Sequence, residues 1–227
     1  MTITRNVALY QLIRDAWSLR DQFDLTNVGY GKVHWPDSVD VLRSPFSYYY
    51  FLAGIVRVTQ ARNIVEVGTH QGGSTRALAA GLDPAIDGRI VTFDVTEYGA
   101  SMFSDHPVIS AFTTDANSEK AFDACVRAFG APKADLVFID STHEFWTTLL
   151  SFTIYSNVIR SPLVILDDIT LNPEMKKLWA YLQSRYGTDN AIDATDVEPA
   201  IRTGGSGTRP GFGIVRIPDA VFGEVER

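Results

Sequence analysis

The chain of 227 residues is 45% hydrophobic and 21% charged, the profile of a folded protein with a sizeable core rather than a disordered or fibrous one. Its net charge of −7, with no basic run to offset it, argues against a nucleic-acid partner, and its longest apolar run, YYYFLAGIV, stops at Arg57, far short of a bilayer span. A single cysteine, Cys125, excludes an intrachain disulfide, and its setting FDACVRAF predicts a buried, inert thiol.

In chain order, the opening MTITRNVALYQLIRDAW carries Arg and Asp where a signal peptide needs an apolar core, so a cytoplasmic location is expected. NVALYQLIRDAWSLRDQF has helical apolar spacing, and a polar, glycine-containing stretch follows it. Ser44 and Pro45 read as the cap and first position of a second helix through FSYYYFLAGIVRVTQ. Five β-branched runs come next, NIVEV, RIVTFD, ISAFTT, DLVFID and PLVILDD, with helix-like segments between most of them. Runs apolar on both faces and separated by helices suit parallel strands covered on both sides. NAIDATDV and GFGIVRIP add two strands joined by a flexible loop, a pair able to run antiparallel. The expectation is an α/β fold: a doubly wound, mostly parallel seven-stranded sheet with an antiparallel C-terminal strand and an N-terminal helical extension. One domain over 1–227 suffices, with 1–60 as helices and a candidate substrate lid and 61–227 as the α/β core.

In such sheets ligands bind outside the carboxyl ends of the strands. The first strand end, EVGTHQGGST, turns at Gly68, carries Gly72 and Gly73 where backbone can approach a ligand closely, and starts a helix near Ser74. Amide groups at that helix start suit an anionic group, phosphate or carboxylate. The spacing Gly-x-x-x-Gly-Gly is not the Gly-x-Gly-x-x-Gly of dinucleotide enzymes. Asp94 ends the second strand and is placed to accept both hydroxyls of a ribose, a turn or cap role being the plainer alternative. Asp115, after the third strand, suits either an adenine amino group or a helix cap.

The fourth and fifth strands end in FIDSTHEFW and VILDDIT. If those strands are neighbours, Asp140, Asp167 and Asp168 converge, and three carboxylates require a cation or protons to compensate them. Oxygen ligands of this kind suit a hard divalent cation such as magnesium. His143, three residues after Asp140, is expected at the start of the following helix, where one turn keeps both side chains together, and it is a candidate general base. Helix capping by the aspartates and a surface role for His143 are the alternatives.

Together EVGTHQGGST, TFD, FIDSTHEFW and VILDD resemble the class I S-adenosylmethionine-dependent methyltransferases, with their Rossmann-like fold. Over roughly residues 45 to 185 the chain is similar, more narrowly, to the metal-dependent O-methyltransferases grouped with macrocin and mycinamicin sugar methyltransferases and the cephalosporin-hydroxylase-like proteins. The resemblance implies that Glu66 and Gly68 shape the cofactor loop, with Thr69, Gly72, Ser74 and Thr75 around the methionine end. Asp94 would then hold the ribose and Asp115 the adenine end, and Asp140 would count among both the cofactor-binding and the catalytic residues. It further implies that Asp140, Asp167 and Asp168 hold Mg2+ or another divalent cation and that His143 is the base. Two departures stand out: Ser141-Thr142-His143 where relatives often have Gly-Asp-His, and Asp167-Asp168 where they often have Glu-Asp. The shorter Asp167 reaches less far, which makes Asp168 the firmer ligand of the two.

The expected activity is therefore metal-assisted O-methylation of a small hydroxylated molecule, a sugar, phenol or natural-product intermediate. His34, Trp35 and Tyr48 are candidate substrate contacts, the loop RTGGSGTRPG is a candidate lid, and self-association is suggested only by the resemblance. The main alternative is a non-catalytic or metal-independent S-adenosylmethionine-binding protein of the same fold. A nicotinamide-dependent reductase is disfavoured by the glycine spacing and by the absence of any Tyr-x-x-x-Lys stretch. Hydroxylation is disfavoured because no two-histidine, one-carboxylate pattern falls in this pocket.

Overall fold

The structure, a computed structural model, describes residues 8–25, 46–97, 102–202 and 210–218. Seven strands form one sheet: β1 Asn63–Val67, β2 Arg89–Asp94, β3 Ile109–Thr113, β4 Leu136–Ile139, β5 Leu163–Asp167, β6 Ala191–Asp193 and β7 Phe212–Arg216. Their order is β3-β2-β1-β4-β5-β7-β6. The first five are parallel in register, while β7 runs antiparallel to both β5 and β6. The predicted sixth strand is shorter than NAIDATDV suggests: Asp193 accepts from the Thr195 amide and hydroxyl, and a helical turn replaces further strand.

Helices cover both faces, and the alternation of buried residues along each strand shows why. Ile64, Ile90, Phe138, Ile165 and Ile214 point into a core built with α1 (Leu9–Ser18), α2 (Ser47–Thr59) and α3 (Gly73–Gly81). Their neighbours Val65, Val91, Val137, Val164 and Val215 point to the other side, against α4 (Glu119–Phe129), α5 (Phe145–Thr153) and α6 (Pro173–Tyr186). With both faces buried, the strands need apolar residues at nearly every position, the pattern read in the sequence. Cys125 is fully buried on α4, as expected, and burial pushes its thiol up to about 12, which disfavours the reactive thiolate.

The predicted cap Ser44 and Pro45 lie outside the described residues, as do His34, Trp35 and residues 203–209 of the glycine-rich loop. The second helix begins at Ser47 after extended Phe46, and it is buried on almost every side, wedged between α1 and α3. Among the described residues no helix is long and apolar enough to cross a membrane. The order of strands reverses direction at β1, whose neighbours are β2 and β4. That switch point places the loops after β1 and β4 side by side, which is where a ligand-binding crevice forms in open α/β sheets.

Candidate active site

The loop after β1 is held by backbone geometry that only glycine supplies. Gly68 has φ +102°, and a Cβ there would lie 1.8 Å from the carbonyl oxygen of Asp140. The two loops therefore cross at a spacing that excludes any side chain. Gly72, at φ +71°, precedes α3, and a Cβ would meet the Phe103 ring at 2.5 Å; at Gly73 it would meet the Tyr49 hydroxyl at 2.2 Å. The close approach expected of a ligand at these two glycines is thus made by aromatic side chains of the protein itself.

Beneath this loop lies Glu66, fully buried in β1. Its carboxyl accepts from Ser74 Oγ at 2.5 Å, Thr75 Oγ1 at 2.5 Å and Thr92 Oγ1 at 2.6 Å, and the Thr69 hydroxyl lies 2.6 Å from that of Thr92. Burial pushes Glu66 up to about 7, against these three hydrogen bonds, which favour the charged form, and Asp140 adds to the rise. The network ties the N-terminus of α3 to the sheet. Ser74 and Thr75, expected beside a cofactor, spend their hydroxyl hydrogens on Glu66 instead.

Above the loop opens a cavity of about 400 Å³. Gly68, Thr69, Ser74, Asp94, Asp115 and Asp140 line it, as does Tyr48, whereas Gly72 and Thr75 stand behind its wall. Asp94 is rigidly set: Oδ2 accepts from the His70 amide at 2.7 Å, and Oδ1 from the Thr96 amide and hydroxyl at 2.8 and 2.7 Å. Each oxygen keeps further acceptor capacity for a ligand hydroxyl. Asp115 Oδ1 accepts from the Asn117 amide at 2.8 Å, and Ser118, not Asp115, caps α4.

Two residues passed over in the sequence complete the wall. The buried amide of Gln71 and the buried hydroxyl of Ser141 both line the cavity and have no hydrogen-bond partner among the described residues. An unpaired buried polar group costs about 1–3 kcal/mol, so these atoms mark where a polar ligand fits. The signal for Gln71 was its place inside the quoted glycine loop, between Gly68 and Gly72. A cavity with a rigid carboxylate at one strand end, a helix N-terminus at another and orphaned polar atoms between them fits an adenosine-type cofactor with a charged tail.

Asp140 connects this cavity to a second cluster. His143 Nε2 lies 3.4 Å from Asp140 Oδ1 and 3.6 Å from Asp168 Oδ2. Juxtaposition of Asp140 and His143 is as expected, but not by a helical turn. Helix α5 starts only at Phe145, and His143 sits in the preceding loop at φ +54°, its carbonyl held by Asn172 Nδ2 at 2.9 Å. His70 (φ +43°) and Asp168 (φ +56°) are also left-handed. Three non-glycine residues in this sparsely populated region flank one site, strain that surrounding contacts must hold in place. Burial opposes charge on His143, but the hydrogen bond and charge of Asp140, with the charge of Asp168, outweigh it and raise its pKa; Arg202 acts against them. Burial pushes Asp168 up to about 6, with His143 drawing it down and Asp140 adding to the rise.

The cation that compensates these carboxylates is part of the chain. Arg202 donates to Asp168 Oδ1 at 2.8 Å and to Asp167 Oδ1, which also accepts from the Asp168 amide at 2.9 Å. Its guanidinium lies over the Tyr48 ring, 4.5 Å from the centroid. Among the described residues no group of three or more His, Cys, Asp or Glu is arranged to hold a metal ion. The set Asp140, Asp167 and Asp168 expected to hold magnesium is not shown as a metal site: two of its members are bound to Arg202, and as placed the three do not fit a divalent ion.

Residues 65–169 match the family described as methyltransferase domain, a span that takes in every predicted site residue from Glu66 to Asp168. No curated protein matches the chain. Among solved structures it is similar to an O-methyltransferase, TomG, from Streptomyces achromogenes, involved in tomaymycin synthesis and determined with S-adenosylmethionine. There, identity is 19%, coverage 96% of this chain and 99% of that one, and the TM-score 0.58. A methyltransferase of Podospora anserina bound to S-adenosylhomocysteine gives 12%, 95% and 91%, and 0.55. An O-methyltransferase from Bacillus cereus, also with S-adenosylhomocysteine, gives 19%, 95% and 94%, and 0.51. At these identities the structural likeness speaks for the fold. Beside the family match, which is confined to residues 65–169, it shows a Rossmann-like fold of the kind these methyltransferases have.

Proposed function

We propose that this protein transfers a methyl group from S-adenosylmethionine to a hydroxyl oxygen of a small molecule, with His143 receiving the acceptor's proton. The observation that carries the reading is Asp140, which lines the cofactor-type cavity and at the same time faces His143. Binding and proton chemistry thereby meet at one residue.

When bound, S-adenosylmethionine supplies an electrophilic methyl; a carbon–sulfur bond breaks, a carbon–oxygen bond forms, and the products are S-adenosylhomocysteine and a methyl ether. Asp94, fixed by His70 and Thr96, would accept the ribose hydroxyls, and the start of α3 with Gln71 would face the charged methionine end. An imidazole protonated on Nε2, between Asp140 and Asp168, leaves Nδ1 to take the acceptor's proton. Holding acceptor and methyl in line supplies on the order of 7 kcal/mol in favourable cases, the larger share of what such a site must provide. Magnesium dependence, expected from the sequence, does not enter this reading, because Arg202 engages Asp167 and Asp168. Nor does the geometry select among sugar, phenol and natural-product acceptors.

The test is transfer of labelled methyl from S-adenosylmethionine to a panel of sugars, phenols and polyketide alcohols, with wild type beside His143→Ala. Label on acceptor oxygen, lost in the variant, supports the reading. Full turnover in His143→Ala overturns the assigned base. Cofactor binding without transfer to any acceptor supports a non-catalytic binding protein instead.

A further inference from the structure

We propose that Arg202 is the built-in cation of the acceptor side of the site, standing where a divalent ion would otherwise neutralise Asp167 and Asp168, and that it positions His143 through Asp168. In its catalytic half this inference rests on the function proposed above; its electrostatic half does not.

Asp167 and Asp168 are adjacent, largely buried carboxylates, with side-chain exposures of 6% and 19%, and Asp140 approaches the same nitrogen of His143, Nε2, as Asp168 does. Such a set cannot be charged together without a counter-ion. Arg202 meets this need with one group, donating from Nη2 to an oxygen of each aspartate. The guanidinium is permanently charged, planar and rich in donors, so a single residue can serve two carboxylates at any working pH.

The side chain is also held in place from behind. It is only 18% exposed and is stacked on Tyr48, with the Phe212 ring 5.8 Å away. It ends the turn Pro199–Arg202, which is pinned to the start of α2 by the bond from Ser47 Oγ to the Ile201 carbonyl at 2.7 Å. Tyr48 in turn lines the cofactor-type cavity, so the stack joins Arg202 to the site's wall. With Oδ1 of Asp168 taken by Arg202, Oδ2 is left facing His143 Nε2 at 3.6 Å, a charge–imidazole contact longer than a hydrogen bond, so the influence on the ring is electrostatic. A surface ion pair would show neither the burial nor the orientation of a second partner. Arg202 thus acts on the imidazole through Asp168, as a positioning residue rather than a catalytic one.

The inference is tested with Mn2+ as probe, following the spectrum of the free ion by electron paramagnetic resonance, with the full chain as wild type, Arg202→Met and Arg202→Lys. Arg202→Met keeps an apolar stem on Tyr48 but removes the charge, and Arg202→Lys keeps the charge. Wild type and Arg202→Lys are expected to leave the Mn2+ signal unchanged, and wild-type methyl transfer to be insensitive to chelator. Arg202→Met is expected to take up an equimolar amount of Mn2+, an uptake abolished by adding Asp168→Asn. Its kcat falls by roughly 10–100-fold with cofactor affinity retained, the loss typical when a residue that orients a reacting group is removed. Equimolar Mn2+ uptake by wild type overturns the proposal, as does a folded Arg202→Met that binds none. Should Arg202→Met not fold, the wild-type titration still decides. Because metal uptake is read without turnover, absence of methyl transfer in every chain would sink the proposed reaction and leave the Mn2+ comparison standing.

Discussion

Replacing Glu66 by Gln removes a pH dependence of stability whose size follows from the burial of this carboxyl. Glu66 is fully buried, and burial lifts it from an ordinary 4.5 to about 7 in the folded chain. Between those values the folded state holds a proton that the unfolded state has released. The unfolded state therefore binds fewer protons, and the free energy of unfolding falls as pH rises through this window. At 1.36 kcal/mol for each pH unit of separation, the loss attributable to Glu66 is on the order of 3 kcal/mol, absent below pH 4.5 and complete above about pH 7. Glu66→Gln is nearly isosteric with the protonated acid, and the hydroxyls of Ser74, Thr75 and Thr92 can turn to suit the amide. The variant should match wild type in acid and exceed it at pH 8 by roughly 3 kcal/mol. Urea titrations followed by tryptophan fluorescence at several pH values read this difference directly. Asp168 and His143 titrate in both chains, so their contributions cancel in the comparison. A gap that stays constant with pH, or that widens toward acid, would refute the reasoning.

Three other outcomes follow from the same geometry. Gly68→Ala puts a methyl 1.8 Å from the Asp140 carbonyl oxygen at φ +102° and should cost about 2–4 kcal/mol of stability, together with S-adenosylhomocysteine affinity; unchanged calorimetric binding would contradict it. His143→Ala should lower kcat by about 10²–10⁴-fold with cofactor affinity intact, a split visible in steady-state kinetics beside calorimetry. Because Asp140 and Asp168 raise His143 above its ordinary 6.5, wild-type kcat should climb with pH through a midpoint above that value, as the imidazole loses its proton; a midpoint below it would count against His143 as base.

Strand positions were legible because a sheet buried on both faces forces an unbroken apolar run, and NIVEV and RIVTFD fall on β1 and β2 residue for residue. The antiparallel pair at the C-terminus was legible for a related reason, since the chain between those strands has no crossover helix of the usual length. Asp94, Asp115 and Asp140 fall on the cavity wall because strand ends in this architecture converge on one crevice. What sequence spacing could not show is which groups spend their hydrogen bonds internally. Thr75 reads as a ligand contact, yet it lies behind the cavity wall, and both it and the cavity-lining Ser74 donate to the buried Glu66. Arg202 was hidden more deeply: it lies 34 residues beyond Asp168, at the edge of a glycine-rich stretch that reads as a lid. Only the packing of the turn Pro199–Arg202 onto α2 brings it to the carboxylates. Likewise His143 meets Asp140 through a left-handed loop, a conformation that histidine spacing does not reveal.

The central claim is that the cavity over Gly68 and Asp94 binds the adenosyl cofactor. Calorimetric titration with S-adenosylhomocysteine, wild type beside Asp94→Ala, tests it most directly. The account predicts saturable equimolar binding by wild type, weakened at least about tenfold in the variant by the loss of charge-assisted hydrogen bonds to the ribose. No binding by wild type, or equal binding by both chains, would contradict it.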